Sequence, residues 1–318
     1  MTAPAVSPAG ADAADAVDAA DAVDAASTTS TTSAASAASA ASAASAASAA
    51  SSVTAVAAIR VEVAGGTDAG SGVRVTTLES RVPLVLRDTT SRRASRPGES
   101  RGAEIHLVNA AGGPLAGDRL RLDVTVGPGA RLVLRSAAAT VALPGRGEGP
   151  SVFEIQADVG PGGALEVLLE PTVAAEGCQH RSVGTARLAA GASLLWREEI
   201  LLGRFGEPSG TLATRLRVDV EGAPLLRQDL LLGPEVPGVG GPAVLGGVRA
   251  VGSLLVARAG GLPGLGFAPA VGERAARLPL AGPGVLVSAL ADDAVALRRA
   301  LTELAGPLAP PGRSAVVA

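Results

Sequence analysis

The chain has 318 residues, among them 41 Gly and 22 Pro, with three Phe, one Trp and no Tyr. All 27 basic residues are Arg, and the formal net charge is −3. This balance excludes a general attraction to nucleic acid or an anionic membrane, offers few rings for base stacking, and leaves Leu, Val, Ile and Ala to build the core.

Cys178 is the sole cysteine, so neither an intrachain disulfide nor a cysteine-rich zinc site can form. Apolar runs stay short of the roughly 18 residues that a membrane helix needs. The opening MTAPAVSPAG lacks a basic segment followed by a leucine-rich one. A cytoplasmic protein is expected.

Residues 1–58 are low in complexity. Asp12, Asp15, Asp18, Asp21 and Asp24 recur every third position among alanines, and Ser36, Ser39, Ser42, Ser45 and Ser48 repeat the spacing. Period three drifts around a helix and makes no apolar stripe, so a disordered tail is predicted here. From Ile59 onward the pattern has period two. In Arg119–Val126, residues Leu120, Leu122, Val124 and Val126 alternate with polar ones; Phe153 to Val159 and Thr214 to Val220 do the same. Small-residue turns (GPGARL at Gly127, GPGGALEV at Gly160, AAGASLLW at Ala189) precede new apolar runs. Turns of this composition suit hairpins. The expected fold is mainly β, with packed layers of mostly antiparallel sheet built from serial hairpins. Leu290, Ala294, Leu297, Leu301 and Leu304 predict one C-terminal amphipathic α-helix, with Asp292 and Asp293 at its start, Arg298 and Arg299 in its second half, and Gly306-Pro307 as its stop.

The stretch AAGGPLAGD, Ala110 to Asp118, raises the question of a phosphate loop. A Walker loop requires a lysine, which this chain lacks, and a dinucleotide loop opens a helix, whereas this one leads into a strand pattern. The reading is a tight turn: Gly112, Gly113 and Gly117 permit unusual dihedrals, and Asp118 accepts hydrogen bonds from nearby backbone N–H groups. No Gly-x-Ser-x-Gly elbow occurs, and His106 and His180 are the only histidines, so a nucleophilic triad has little support. His106, in EIHLV, reads as an ordinary strand residue. In EGCQH, an extended backbone would project Glu176, Cys178 and His180 together, a donor set suited to transient nickel or zinc; a polar strand end with one buried thiol is the alternative.

The order of these pieces resembles the urease accessory protein family UreD, also called UreH. The resemblance rests on VPLVLR (Val82–Arg87), on His106–Ala130, which contains GGPLAGD, and on LLWREEILLGRFGE (Leu194–Glu207). It covers the chain from about Ile59 to the C-terminal helix, so residues 59–318 are expected to form a single UreD-like domain. Relatives commonly have more residues between Gly-Arg and Gly-Glu than the lone Phe205, and a lysine after the threonine of AAATVALPG. The resemblance implies a mainly β scaffold without catalytic activity that binds UreF, works with the GTPase UreG on urease apoprotein, and holds no stable cofactor while nickel passes through. It also implies structural or interface roles for Gly112, Gly113, Gly117, Asp118, Trp196, Glu198, Gly203, Arg204 and Glu207. Outside the resemblance, a stand-alone β-rich module for protein or carbohydrate and a hydrolase with dispersed carboxylates are rivals. The first is disfavoured by the lack of aromatic platforms, the second by the lack of a nucleophile–base pair.

Overall fold

The structure, a computed structural model, describes residues 52–65, 72–90, 102–261 and 268–306. The tail predicted at residues 1–58 therefore lies mostly outside the described residues. Its last positions do not: strand β1 runs Thr54–Val63, with Ala55, Ala57, Ile59 and Val61 buried.

The strands that follow are β2 (Val73–Glu79), β3 (Leu84–Asp88), β4 (Ala103–Asn109), β5 (Arg119–Val126), β6 (Arg131–Ser136), β7 (Thr140–Ala142), β8 (Ser151–Val159) and β9 (Ala164–Leu168). After them come β10 (Thr172–Ala174), β11 (Gln179–Leu188), β12 (Ser193–Leu202), β13 (Thr211–Val220), β14 (Ala223–Leu232) and β15 (Ala250–Arg258). Strands β16 (Ala270–Val271), β17 (Ala275–Pro279) and β18 (Gly284–Ala291) precede the helix α1 (Ala294–Ala305). A seven-stranded sheet has the order β14-β13-β11-β8-β5-β1-β2. An eleven-stranded sheet has the order β16-β17-β18-β15-β12-β9-β6-β4-β3, with β10 and β7 alongside. Residues Leu122, Ile155 and Val218 of the first sheet and Leu134, Val167 and Trp196 of the second share one buried cluster, so the two sheets pack face to face.

The mainly β class and the helix agree with expectation; the pairing does not. The glycine-rich turns are not hairpins. Each carries the chain from one sheet to the other: β5 to β6, β8 to β9, and β11 to β12. Successive coils then stack in parallel, β5 on β8 on β11 and β6 on β9 on β12. The result is a solenoid-like stack with antiparallel strands at its margins, among them the β13–β14 and β3–β4 hairpins. The turns themselves form a ladder. Gly129 N–H donates to Pro161 O (2.9 Å) and Gly162 N–H to Ala190 O (2.9 Å). Gly129, Gly162 and Gly191 sit at φ 66, 65 and 68, which a side chain would strain. Ala164, spaced like Ala130 and Ala192, is instead in register with Arg131 and Ser193.

Helix α1 is capped by Asp293, whose Oδ1 accepts from Ala296 N–H at 2.8 Å. Leu290, predicted on the helix, belongs to β18, because the strand runs on to Ala291 before the cap. Leu297, Leu301 and Ala305 are buried over Leu254, Val256 and Val287 of the larger sheet. Because the helix starts only at Ala294, Arg298 and Arg299 fall in its first half rather than its second. Arg298 reaches the sheet, where its guanidinium pairs with Glu170 and with Glu199, whose side chain is wholly buried. A buried carboxylate requires such a partner.

Candidate functional site

The Ala110–Asp118 loop is a structural staple. The Asp118 side chain accepts from Val53 N–H through Oδ1 (2.8 Å) and from Leu115 N–H through Oδ2 (2.9 Å), tying the loop to the residue that enters β1. Asp118 is buried, and the loop leads directly into strand β5. Gly113 (φ 120) and Gly117 (φ 85) take the left-handed region; Gly112 does not, and a Cβ there would meet nothing within 4 Å.

Glu176, Cys178 and His180 are not brought together. Glu176 and Gly177 form a turn, with Gly177 at φ 73, so the backbone is not extended until Gln179. Glu176 is exposed. Cys178 is packed among Ala174, Leu212 and Leu232, and burial, helped by Glu207, pushes its thiol up to about 11. His180 faces the interior, where its Nδ1 lies 2.9 Å from Ser151 Oγ and burial lowers its pKa to about 4. Among the described residues no group of three or more His, Cys, Asp or Glu is placed to hold a metal ion.

The loop after β12 is internally braced. Gly203 turns at φ 83. Arg204 and Glu207 pair with each other, Nε to Oε1 and Nη2 to Oε2, both at 2.8 Å. The Arg204 bonds hold the Glu207 carboxyl down at about 2.

The third block of the sequence places a polar row inside the sandwich. In β12 the inward positions read Trp196, Glu198, Ile200; Trp196 belongs to the larger apolar cluster and Ile200 to a separate one. Three other strands repeat this order. Leu216, Thr214 and Leu212 do so in β13, Leu255, Ser253 and Val251 in β15, and Leu286, Ser288 and Leu290 in β18. Strand register sets Glu198 beside Ser253, and Ser253 beside Ser288. In the facing sheet Ser182 lies beside Thr214. A polar row thus crosses the interior between two apolar clusters. Glu198 is its carboxylate. Burial pushes its pKa up to about 7, and hydrogen bonds with Thr214 and Ser182 offset part of that rise. Its accessible surface lines a cavity of about 40 Å³ shared with Thr140, Phe153, Ser182 and Trp196 and with the charged Glu170, Arg197 and Glu199. That is room for a water molecule or a cation. Trp196 closes the row on one side by seating against Gly184, where a Cβ would lie 2.6 Å from its Cζ2.

Of these residues, sequence reasoning named Trp196 and Glu198, but not Ser182, Thr214, Ser253 or Ser288. Thr214, Ser253 and Ser288 are each a polar interruption on an otherwise apolar face, and that was the available signal; Ser182 shares its face of β11 with His180.

The model of the family described as UreD urease accessory protein matches residues 54–317. This chain belongs to the UreD family. A urease accessory protein UreD of Frankia alni is 56% identical over 261 residues, covering 74% of this chain and 87% of that protein. One from a Parafrankia species is 53% identical over 274 residues, 79% of this chain and 87% of that protein. A third, from Streptomyces griseus, is 46% identical over 243 residues, 74% of this chain and 91% of that protein. Within this UreD chain, the Leu194–Glu207 block that carried the resemblance is strand β12 with its braced loop, and it contributes Glu198 to the polar row. An accessory role in urease maturation follows from the family. Among the described residues, no helix is long and apolar enough to cross a membrane.

Proposed function

We propose that this UreD chain is a non-catalytic scaffold through whose interior nickel passes to urease apoprotein, acting with UreF and the GTPase UreG. The polar row around Glu198 carries this reading. One carboxylate among hydroxyls is a hard, oxygen-only donor set, which holds Ni²⁺ more weakly than thiolate or imidazole sites do. Weak holding suits passage rather than storage. The apolar clusters on either side leave the row as the polar route between them. Without lysine, the chain has no P-loop of its own, and nucleotide hydrolysis falls to the partner.

The test is reconstitution. Urease apoprotein, UreF and UreG are combined with nickel, GTP and either the wild-type chain or Glu198→Ala, and urease-bound nickel is measured by mass spectrometry. The variant is expected to assemble with its partners yet leave urease nickel-poor, by about tenfold or more on the scale of one lost charged ligand. Full nickel loading with Glu198→Ala defeats the proposal.

A further inference from the structure

Among the described residues, four strands end the two sheets: β14 and β2 the smaller, β16 and β3 the larger. An unpaired edge can accept any strand of matching chemistry, and most edges are blunted by charge, brevity or bulges. Strand β14 differs from the other three in the order of its residues. From Leu225 to Leu231 it reads Leu-Leu-Arg-Gln-Asp-Leu-Leu, which about Gln228 is a palindrome in polarity with its two charges opposite in sign.

This order matters when two copies of the strand meet. A two-fold axis normal to the sheet keeps each face on its own side, so opposed residues must share a face. With the axis at Gln228, Arg227 stands opposite the partner's Asp229 and Leu226 opposite the partner's Leu230. Moving the axis to Arg227 or to Asp229 sets like charges against each other, and other shifts within the strand set each charge opposite an uncharged residue. The other end strands have no such register. In β2 a bulge at Thr76 interrupts the stretch between Arg74 and Glu79. In β3 Arg87 and Asp88 lie on opposite faces, and β16 carries no charge. In β14 the bulge that takes Leu225 out of the β13 ladder limits regular pairing to Leu226–Leu230.

We infer that β14 is the interface of a two-fold homodimer, in which the smaller sheets of two copies join edge to edge with Gln228 on the axis. Two further observations favour a second copy as the occupant. Arg227 lies directly opposite Arg217 in the β13–β14 ladder, a like-charge juxtaposition that Asp219 offsets from one side. The partner's Asp229 would flank Arg227 from the other side. Both side chains are free to reach across, being 42% exposed for Arg227 and 54% for Asp229. Gln228 Oε1 is buried without a hydrogen-bond partner among the described residues. The partner's Gln228, directly opposite on the same face, brings an amide N–H to it. So short a paired stretch buries less surface than a stable interface needs, so the dimer is weak, forming at about 10–100 μM.

The test is sedimentation velocity of the full chain from about 5 to 200 μM, a span that brackets this range, with amide exchange measured at both ends of it. The wild type is expected to pass from monomer to dimer, and the β14 amides to slow with concentration while those of β2 and β3 do not. Arg227→Asp and Asp229→Arg each set like charges across the seam and should weaken association about thirtyfold or more. Mixed in equal amounts, the two variants carry complementary charges and should dimerise again. A wild type that stays monomeric overturns the inference, as do single variants that dimerise like wild type or a mixture that does not. If either reversal lowers the thermal unfolding temperature, the wild-type exchange decides alone. Slowing confined to another strand, or no slowing, then overturns the dimer.

Discussion

Glu198 and Glu199 are neighbours in sequence with opposite fates. Glu199 lies on the sheet face covered by α1, buried and paired with Arg298; Glu198 lies on the opposite face, between the sheets, with hydrogen bonds to Thr214 and Ser182. Its pKa of about 7, against an ordinary 4.5, makes stability depend on pH. Between these values the folded chain keeps a proton that the unfolded chain has released, so stability falls as pH rises through the window. His180 acts in the opposite sense. Its pKa is lowered from 6.5 to about 4, so stability falls as pH drops through that range. The two slopes oppose each other where the windows overlap, and Glu198→Gln removes only the first. The stability of the Gln variant relative to wild type should therefore grow with pH from about 4.5 to 7, reaching roughly 3 kcal/mol by pH 8. Denaturant titrations at several pH values check this. A difference that stays flat would show that the Glu198 carboxyl is ionised in the folded chain without penalty.

Among the elements, the corners and the strand cores use glycine for different reasons. At Gly162 the reason is dihedral: φ is 65, and a Cβ would meet nothing within 4 Å. At Gly184 the reason is space, since a Cβ would lie 2.6 Å from Trp196 and 2.8 Å from Leu216. Gly162→Ala should cost about 1 kcal/mol of backbone strain. Gly184→Ala should cost about 2–3 kcal/mol, because a buried indole between two sheets has little freedom to move. Urea unfolding of both variants gives the comparison, and equal losses would mean that Trp196 is not seated as described. The alternation in β5, β8 and β13 was legible in the sequence because one face of each strand is buried and period two records that. The direction of pairing was not. A Gly-Pro-Gly corner between two sheets is built from the same residues as a hairpin turn within one, and nothing local separates them.

At the scale of the molecule, the central strands β5, β8 and β11 and their counterparts β6, β9 and β12 are paired on both sides. Among the described residues, β14 and β2 end the smaller sheet and β16 and β3 the larger, each with one edge unpaired. Amide exchange should follow this order, slowest in the stacked coils and fastest in these end strands and the segment 233–249. Uniform protection across all strands would contradict a stack whose coils stabilise one another. The same arrangement explains the polar row. Ser182, Thr214, Glu198, Ser253 and Ser288 come from five strands, and only the register of the two sheets sets them at one level.

The sequence by itself determined the β class, the terminal helix, the strand-entry role of the Asp118 loop, the absence of a P-loop lysine, and the motif blocks that point to UreD. These are local properties, written in alternation, in turn chemistry and in residue type. Tertiary structure decided the parallel stacking, the surface position of Glu176 against the buried Cys178 and His180, and the inward turn of Glu198. Each of these depends on which distant strand lies alongside and in what register, and that is settled by packing two sheets together rather than by any short stretch of chain.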